Sequence, residues 1–242
     1  MTIDDDALEH ITRNGYSKTL DNSIFVRSED DEIILLLNYD GLYGINNINR
    51  FLQENNENKS ILWENLTYKV GDPILFNETK RFGPSIFNNL KGKIVDFRTY
   101  EDKIQFDIEI DKSITETDTI QYDYSLLDNQ TNGNSIIQFD VTKHRSTDDD
   151  DESSTAVIPF QIAYAVSIHK AQGLEYDSVK LVITNEVEER ISHNIFYTAI
   201  TRAKEKLKIY WSPETESKIL TSLKKRNINR DVGLIRSKIE VK

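Results

Sequence analysis

The apolar positions follow two different rhythms along the chain. "EIILLLNYD" is a continuous apolar run that ends in turn residues, the pattern of a strand buried on both faces of a parallel sheet. "GLYGINNINRFLQENN" follows, with Ile45, Ile48, Phe51 and Leu52 at helical spacing. Strand, glycine-containing turn and helix make half of a βαβ unit. From about Tyr68 the rhythm changes. "YKVGDPILF" sets a Gly-Asp-Pro turn before a short strand, and "KGKIVDFRTYEDKIQFDIEI" predicts a hairpin. In its second arm Ile104, Phe106, Ile108 and Ile110 alternate with Gln105, Asp107 and Glu109, a period of two. "SIIQFDV" predicts a further strand, and no long helical pattern occurs between residues 68 and 141. A small antiparallel barrel of about five strands, closing its own edges, is expected there.

"HRSTDDDDESST" interrupts this rhythm with five consecutive acidic residues, which repel one another and bury nothing; a mobile loop is expected. The first rhythm then returns. "SVKLVIT" predicts a buried strand. "ISHNIFYTAITRAKEK" predicts a helix with Ile191, Ile195, Phe196, Ala199 and Ile200 on one stripe. "KLKIYW" predicts a strand, and "PETESKILTSLKKRN" a helix whose lysines complement the dipole at its C-terminal end. The order α/β, all-β, α/β implies one α/β domain interrupted by an inserted β module. Residues 1–30, polar apart from a short helical pattern in "DALEHITRNG", are expected to be a leader or linker.

Composition narrows the chemistry. The 242 residues contain no cysteine, which excludes disulfides and thiolate metal sites, and the 4 histidines form no ligand set. The opening "MTIDDDALEH" has no apolar core, so it does not predict a secretory signal, and "IILLL" is too short to cross a bilayer. A cytoplasmic protein without a membrane partner is expected. The net charge of −11 argues against a nucleic-acid partner until its distribution is considered. Residues 1–160 carry 15 basic and 31 acidic groups, whereas residues 201–242 carry 12 and 5. A basic C-terminal region provides local attraction for an anionic strand; a solvated basic helix face is the plainer reading.

Two clusters carry candidate chemistry. "SIHKAQGLEYD" (residues 167–177) packs a serine, histidine, lysine, glutamine, glycine and glutamate just ahead of a buried strand, so its polar groups sit at a loop or at strand and helix ends, where ligands bind in open α/β sheets. Ser167, His169 and Lys170 offer donors to phosphates or bases, Gly173 permits close backbone approach, and Glu175 can accept from sugar hydroxyls. A polar loop satisfying its own backbone is the alternative. In "FYTAITRAKEKL" (residues 196–207), Thr198 and Arg202 lie four apart on one helix face. A surface ion pair is the alternative for Arg202. In the β module, Lys80 and Arg81 beside Phe82 could pair phosphate contact with base stacking; a basic turn with a core phenylalanine is the competing reading.

Taken together, the stretches resemble the C-terminal part of superfamily 1 helicases. "AYAVSIHKAQGLEYDSVKLVIT" is similar to their motif V and "FYTAITRAKEKLKIYW" to motif VI, while "LNYDGLYGINNINRFLQ" resembles the segment opening the second motor domain of the RecD-like branch. The resemblance implies a RecA-like, P-loop-NTPase-type parallel sheet at residues 31–66 and 155–242. It further implies an SH3-like β insert at 67–145, an acidic loop at 146–154 and a leader or linker at 1–30. The UvrD-like branch carries a larger helical insert, which the strand pattern disfavours. Carried over, Arg202 resembles the arginine reaching the γ-phosphate, Gly173 and Glu175 match positions close to the nucleotide, and Ser167, His169 and Lys170 match the nucleic-acid side.

The phosphate-binding pattern G-x-x-x-x-G-K-[ST] is absent: "GPSIFNNLKGKI" has Phe87 where the first glycine should fall and Ile94 after the lysine. The resemblance therefore implies the C-terminal part of a longer ATP-dependent helicase. ATP and Mg²⁺ are expected in the full enzyme and neither on this chain alone. Expected partners are an N-terminal RecA-like motor domain of the same protein and single-stranded DNA, with RNA as the alternative. A non-catalytic nucleic-acid-binding or scaffold protein that keeps the fold is the second function class, and a β-barrel interaction module on an α/β support is the third.

Overall fold

The computed structural model describes residues 22–27, 30–142, 157–187 and 190–224. A short 3-10 turn, Asn22–Phe25, leads to β1 (Glu32–Leu36), whose five residues are all buried. The helix α1 (Ile45–Glu54) buries Ile45, Ile48 and Leu52. Phe51 departs from the expected stripe: it is 43% exposed and lies with its ring 4.5 Å from that of Phe25. The hairpin β2 (Ser60–Trp63) and β3 (Leu66–Lys69) comes next, turning at Glu64, which adopts φ 57.

Then follow β4 (Pro73–Phe76), β5 (Lys91–Thr99), β6 (Lys103–Ile110), a single helical turn α2 (Glu116–Thr119), β7 (Ser125–Asn129) and β8 (Ser135–Thr142). Beyond the acidic run, which lies outside the described residues, come β9 (Phe160–Ile162), β10 (Ala165–Ser167), β11 (Tyr176–Val182), α3 (His193–Ile200), β12 (Ala203–Tyr210) and α4 (Pro213–Lys224).

The strands sort into a four-stranded parallel sheet, β10-β1-β11-β12, a six-stranded antiparallel sheet, β7-β8-β6-β5-β4-β9, and the separate β2-β3 hairpin. This bears out the α/β domain with an inserted β module. The insert's sheet has six strands rather than about five, and in the described residues its outer strands β7 and β9 do not pair with each other. Alternation builds its core. Ile104, Phe106, Ile108 and Ile110 are each fully buried and pack with Phe76, Phe82, Phe139 and Phe160. Asp107, on the opposite phase, is also buried and takes a hydrogen bond from Arg98 at 2.9 Å.

Two further expectations change. Ile24 and Phe25, inside the stretch read as leader, are buried in the core of the parallel sheet. The helix read through residue 206 ends at Ile200, because Ala203 onward pairs with β11, Tyr176 opposite Ala203 and Leu181 opposite Ile209. Thr201 closes it, its hydroxyl donating to the carbonyls of Tyr197 (2.8 Å) and Thr198 (3.1 Å). The short "DALEHITRNG" helix lies outside the described residues.

Two buried polar clusters stand out, one within a layer and one between the layers. Inside the parallel sheet Glu32 and Lys180, both almost fully buried, pair at 2.8 Å, and Ser178 donates to the same carboxylate. Between the layers the fully buried Asp72 accepts from Gln53, Asn56, Tyr164 and the Lys69 backbone. No helix among the described residues is long and apolar enough to cross a membrane.

Candidate functional site

Strand register decides where each candidate residue lies. Ser167 stands opposite Leu36, the last residue of β1, so β10 ends at the carboxyl edge of the sheet. Tyr176 stands opposite Ala203, so β11 and β12 both begin at the amino edge. Residues 168–175 run back from one edge to the other. The compact sequence cluster is therefore divided between two ends of the sheet.

At the carboxyl edge the turn starts from Ser167. Its carbonyl accepts the amides of Lys170 (3.0 Å) and Ala171 (3.2 Å), and its buried hydroxyl accepts that of Lys170 at 3.3 Å. Ile168 donates to the Leu36 carbonyl at 3.0 Å, which fixes the turn to β1. His169 is exposed; its carbonyl accepts the Gln172 amide at 3.3 Å, which continues the turn and leaves the imidazole facing solvent. Lys170 is half-buried and its ammonium donates to the Gln161 side chain on β9, in the insert's sheet.

At the amino edge Gly173, Glu175 and Arg202 come together. Gly173 adopts φ +87, a left-handed backbone that disfavours any side chain, and the space over its Cα is open. The Arg202 guanidinium holds the segment that follows. It donates from Nη1 to the Leu174 carbonyl at 2.8 Å, from Nε to the Thr198 carbonyl at 2.9 Å, and from Nη2 to the Thr201 hydroxyl at 3.0 Å. The Arg202 carbonyl in turn accepts the Tyr176 amide at 2.9 Å. Three of the five guanidinium N–H groups are thus used within the chain, and one remains on each terminal nitrogen. Glu175 is exposed and its carboxylate has no partner among the described residues.

Lys80 and Arg81 lie far from both edges in sequence, on a 3-10 turn of the insert (Lys80–Ser85). Lys80 is exposed. Arg81 is half-buried: it donates to the Asp140 carbonyl at 2.9 Å and lies over the rings of Phe82 (4.6 Å) and Phe139 (5.4 Å). Burial lowers its pKa, against the pull of Asp123 and Asp140. Phe82 is fully buried, so the base-stacking role open to it in the sequence is replaced by a core role. Together Lys80 and Arg81 line an open groove with Glu78, Val141, Thr142 and Pro159.

Lys91 and Asp31 were not singled out by the sequence. Lys91 contacts Asp31, Asp111 and the Glu175 carbonyl, which makes it part of the amino-edge cluster. No local pattern marks it; a lysine ahead of a hairpin strand looks like any solvated end. Among the described residues no group of three His, Asp or Glu side chains gathers as a metal site.

Residues 162–210 match the family of UvrD-like helicase C-terminal domains. Together with the relatives below, this match supports the C-terminal part of a superfamily 1 helicase. The match contains six of the candidate residues, Ser167, His169, Lys170, Gly173, Glu175 and Arg202, and leaves Lys80 and Arg81 outside. Along most of its length the chain is similar to a RecBCD enzyme subunit RecD from Buchnera aphidicola subsp. Schizaphis graminum, 24% identical over 207 residues, covering 84% of the chain and 28% of the relative. RecD from Haemophilus influenzae is 31% identical over 72 residues, 30% of the chain and 11% of that protein. The chain thus spans less than a third of the RecD relatives it matches. Among solved structures, a Pif1 helicase from Candida albicans superposes with a TM-score of 0.48 at 17% identity, covering 93% of this chain and 55% of that one. The all-parallel four-stranded sheet fits the α/β RecA-like domain expected of a helicase C-terminal part.

Proposed function

We propose that this helicase domain serves as the second motor domain of an ATP-dependent, RecD-like DNA helicase, facing nucleotide with the amino edge of its sheet and a single strand with the carboxyl edge. The observation that carries the reading is the gathering of Gly173, Glu175 and Arg202 at one edge while His169 lies exposed toward the other. ATP, with Mg²⁺, is the substrate in the whole enzyme, held chiefly by an N-terminal RecA-like domain that carries the phosphate loop. The donor chemistry fits this role. Arg202 keeps one N–H on each terminal nitrogen for phosphate oxygens, and the exposed Glu175 carboxylate is free to accept from ribose hydroxyls. Arg202 then neutralises charge that builds on the γ-phosphate in the transition state, as an arginine finger does. His169 and Lys170 line the track for single-stranded DNA, RNA being the alternative, with Ser167 capping their turn.

In this reading residues 31–66 and 155–242 form the motor domain, 67–145 the insert and 146–154 an acidic connection. The β2–β3 hairpin straddles the first boundary, and β9 joins the insert's sheet by pairing with β4. An SH3-like fold for the insert belongs to the same proposal, as does a cytoplasmic setting. Lys80 and Arg81 form an outlying nucleic-acid contact, with Lys80 the freer cation.

A second reading keeps the fold without turnover, as a nucleic-acid-binding or scaffold protein. What favours it is the occupation of Arg202 by three bonds within its own chain. The two readings separate in a helicase that carries both motor domains. Glu175→Ala is expected to raise KM for ATP and leave single-strand affinity unchanged, and His169→Ala to weaken single-strand binding and leave KM for ATP unchanged. A crossed pattern, or no effect of Glu175→Ala, contradicts the two-edge assignment.

A further inference from the structure

Lys91 opens β5, the first long strand of the insert, yet its ammonium sits at the amino edge of the motor sheet. Its side chain is only 16% exposed. An ammonium has three N–H donors, and each finds an acceptor group here. Asp31 accepts at 3.0 Å and 3.2 Å, Asp111 at 3.1 Å and the Glu175 carbonyl at 3.0 Å. The ammonium also lies 4.6 Å from the centre of the Tyr176 ring. Asp111 belongs to the insert, just past β6; the other three belong to the parallel sheet and its edge.

The segment between Gly173 and β11 is therefore gripped by two cations on successive peptide groups. Arg202 takes the Leu174 carbonyl and Lys91 the Glu175 carbonyl. Asp31 completes the cradle: its carboxylate accepts the Asp177 amide at 3.3 Å and its carbonyl the Ser178 amide at 3.1 Å. Were β5 to shift relative to the motor sheet, the Lys91 bond to Glu175 would break while the Arg202 bond stayed.

We propose that Lys91 is a positioning residue through which the insert sets the Gly173–Glu175 loop against Arg202, so that the nucleotide-facing edge responds to where the insert sits. The proposal rests on the nucleotide-facing reading above for its functional half, whereas its structural half stands on the contacts alone. A cation without a local partner on its own strand, satisfied by acceptors from two layers, fixes those layers relative to each other.

The test is amide hydrogen exchange on the 242-residue chain, comparing Lys91→Met, Lys91→Arg and Asp111→Asn. Methionine keeps the apolar stem and removes the ammonium. Exchange at Tyr176 and Asp177 is expected to accelerate at least about fivefold in Lys91→Met, with amides of β6 and of the β11 centre unchanged. Lys91→Arg restores most of the protection, and Asp111→Asn, which leaves the motor-side contacts in place, produces a smaller change at the same amides. Unchanged exchange at Tyr176 and Asp177 in Lys91→Met overturns the proposal, and so does a uniform acceleration across both sheets, which would mark Lys91 as a general stabiliser. In a helicase bearing both motor domains, Lys91→Met is expected to raise KM for ATP more than it lowers kcat. Local loosening with an unmoved KM upholds the positioning and contradicts the nucleotide-facing reading instead.

Discussion

Replacing Asp72 tests how the two layers are joined. The residue is fully buried where β3 gives way to β4. Its Oδ1 accepts from Asn56 at 2.8 Å and from the Tyr164 hydroxyl at 2.7 Å; its Oδ2 accepts from Gln53 at 2.5 Å and the Lys69 amide at 2.9 Å. In Asp72→Ala, Gln53 keeps the Thr67 carbonyl and Asn56 the Val70 carbonyl. The Lys69 N–H and the Tyr164 O–H are left as stranded donors. Each costs about 1–3 kcal/mol, so together roughly 2–6 kcal/mol. Part of this is offset, because burial holds the Asp72 carboxyl above its ordinary value against the pull of its four donors, and the alanine variant no longer carries that desolvation cost. The expected loss is then about 2–4 kcal/mol, or a fall in Tm of at least about 5 °C for a chain of this size. Asp72→Asn should be nearly as harmful, since its amide nitrogen faces the Lys69 and Gln53 donors. Tyr164→Phe removes one donor of four and should cost about 1–2 kcal/mol. Urea unfolding followed by circular dichroism measures all three. An Asp72→Ala chain within about 0.5 kcal/mol of wild type, or an unharmed Asp72→Asn, would refute the reasoning.

Other expectations follow from the same contacts. Lys180→Met removes the cation from beside the buried Glu32 carboxylate, leaving the Ser178 bond, and should cost about 3–5 kcal/mol, most of it recovered in the Glu32→Gln/Lys180→Met double variant, as a denaturation cycle would show. Tyr68 is pushed up to about 12 by burial first and by Glu64 second. A folded pKa above the unfolded value gives stability that is complete below about pH 10 and lost as pH rises toward about 12. Tyr68→Phe should therefore flatten the decline of stability across that alkaline window, measured by unfolding at stepped pH. In single-strand binding, Lys80→Ala should reduce the salt slope by about 0.7, whereas Arg81→Ala should lower Tm, because its guanidinium is bonded to Asp140 and stacked on core rings; an unchanged slope in Lys80→Ala removes the insert from the track.

Legibility in the sequence follows how local the deciding physics is. β1 and β6 were readable because one is a near-continuous apolar run and the other alternates, and burial follows those patterns apart from the buried carboxylates Glu32 and Asp107. The end of α3 was not. "TRAKEK" suits a helix by propensity, and only pairing with β11 converts Ala203 onward to strand. Ile24 and Phe25 were hidden in a polar stretch, since two apolar residues make no period. The motif residues were readable as a group, but not that residues 168–175 traverse the sheet and send His169 and Glu175 toward opposite edges. Lys91 was invisible because all its partners are distant in sequence, the nearest being Asp111 across the β5–β6 hairpin. Phe82 shows the converse: a basic-aromatic triplet suggests a ligand contact until burial is known.

The central claim is that Arg202 acts on the nucleotide from the amino edge. It is tested most directly by single-strand-stimulated phosphate release at saturating ATP in a helicase carrying both motor domains, wild type against Arg202→Ala and Arg202→Lys. Loss of its three bonds to the chain is expected to cost about 1–3 kcal/mol of stability, so turnover is measured well below Tm. Fingers of this kind contribute roughly 10³–10⁵ in rate in GTPases. A fall in kcat of at least about tenfold in both variants, with single-strand affinity held within about twofold, is the predicted result. A kcat near wild type in Arg202→Ala would contradict the account and leave Arg202 as a structural clamp on Leu174 and Thr198.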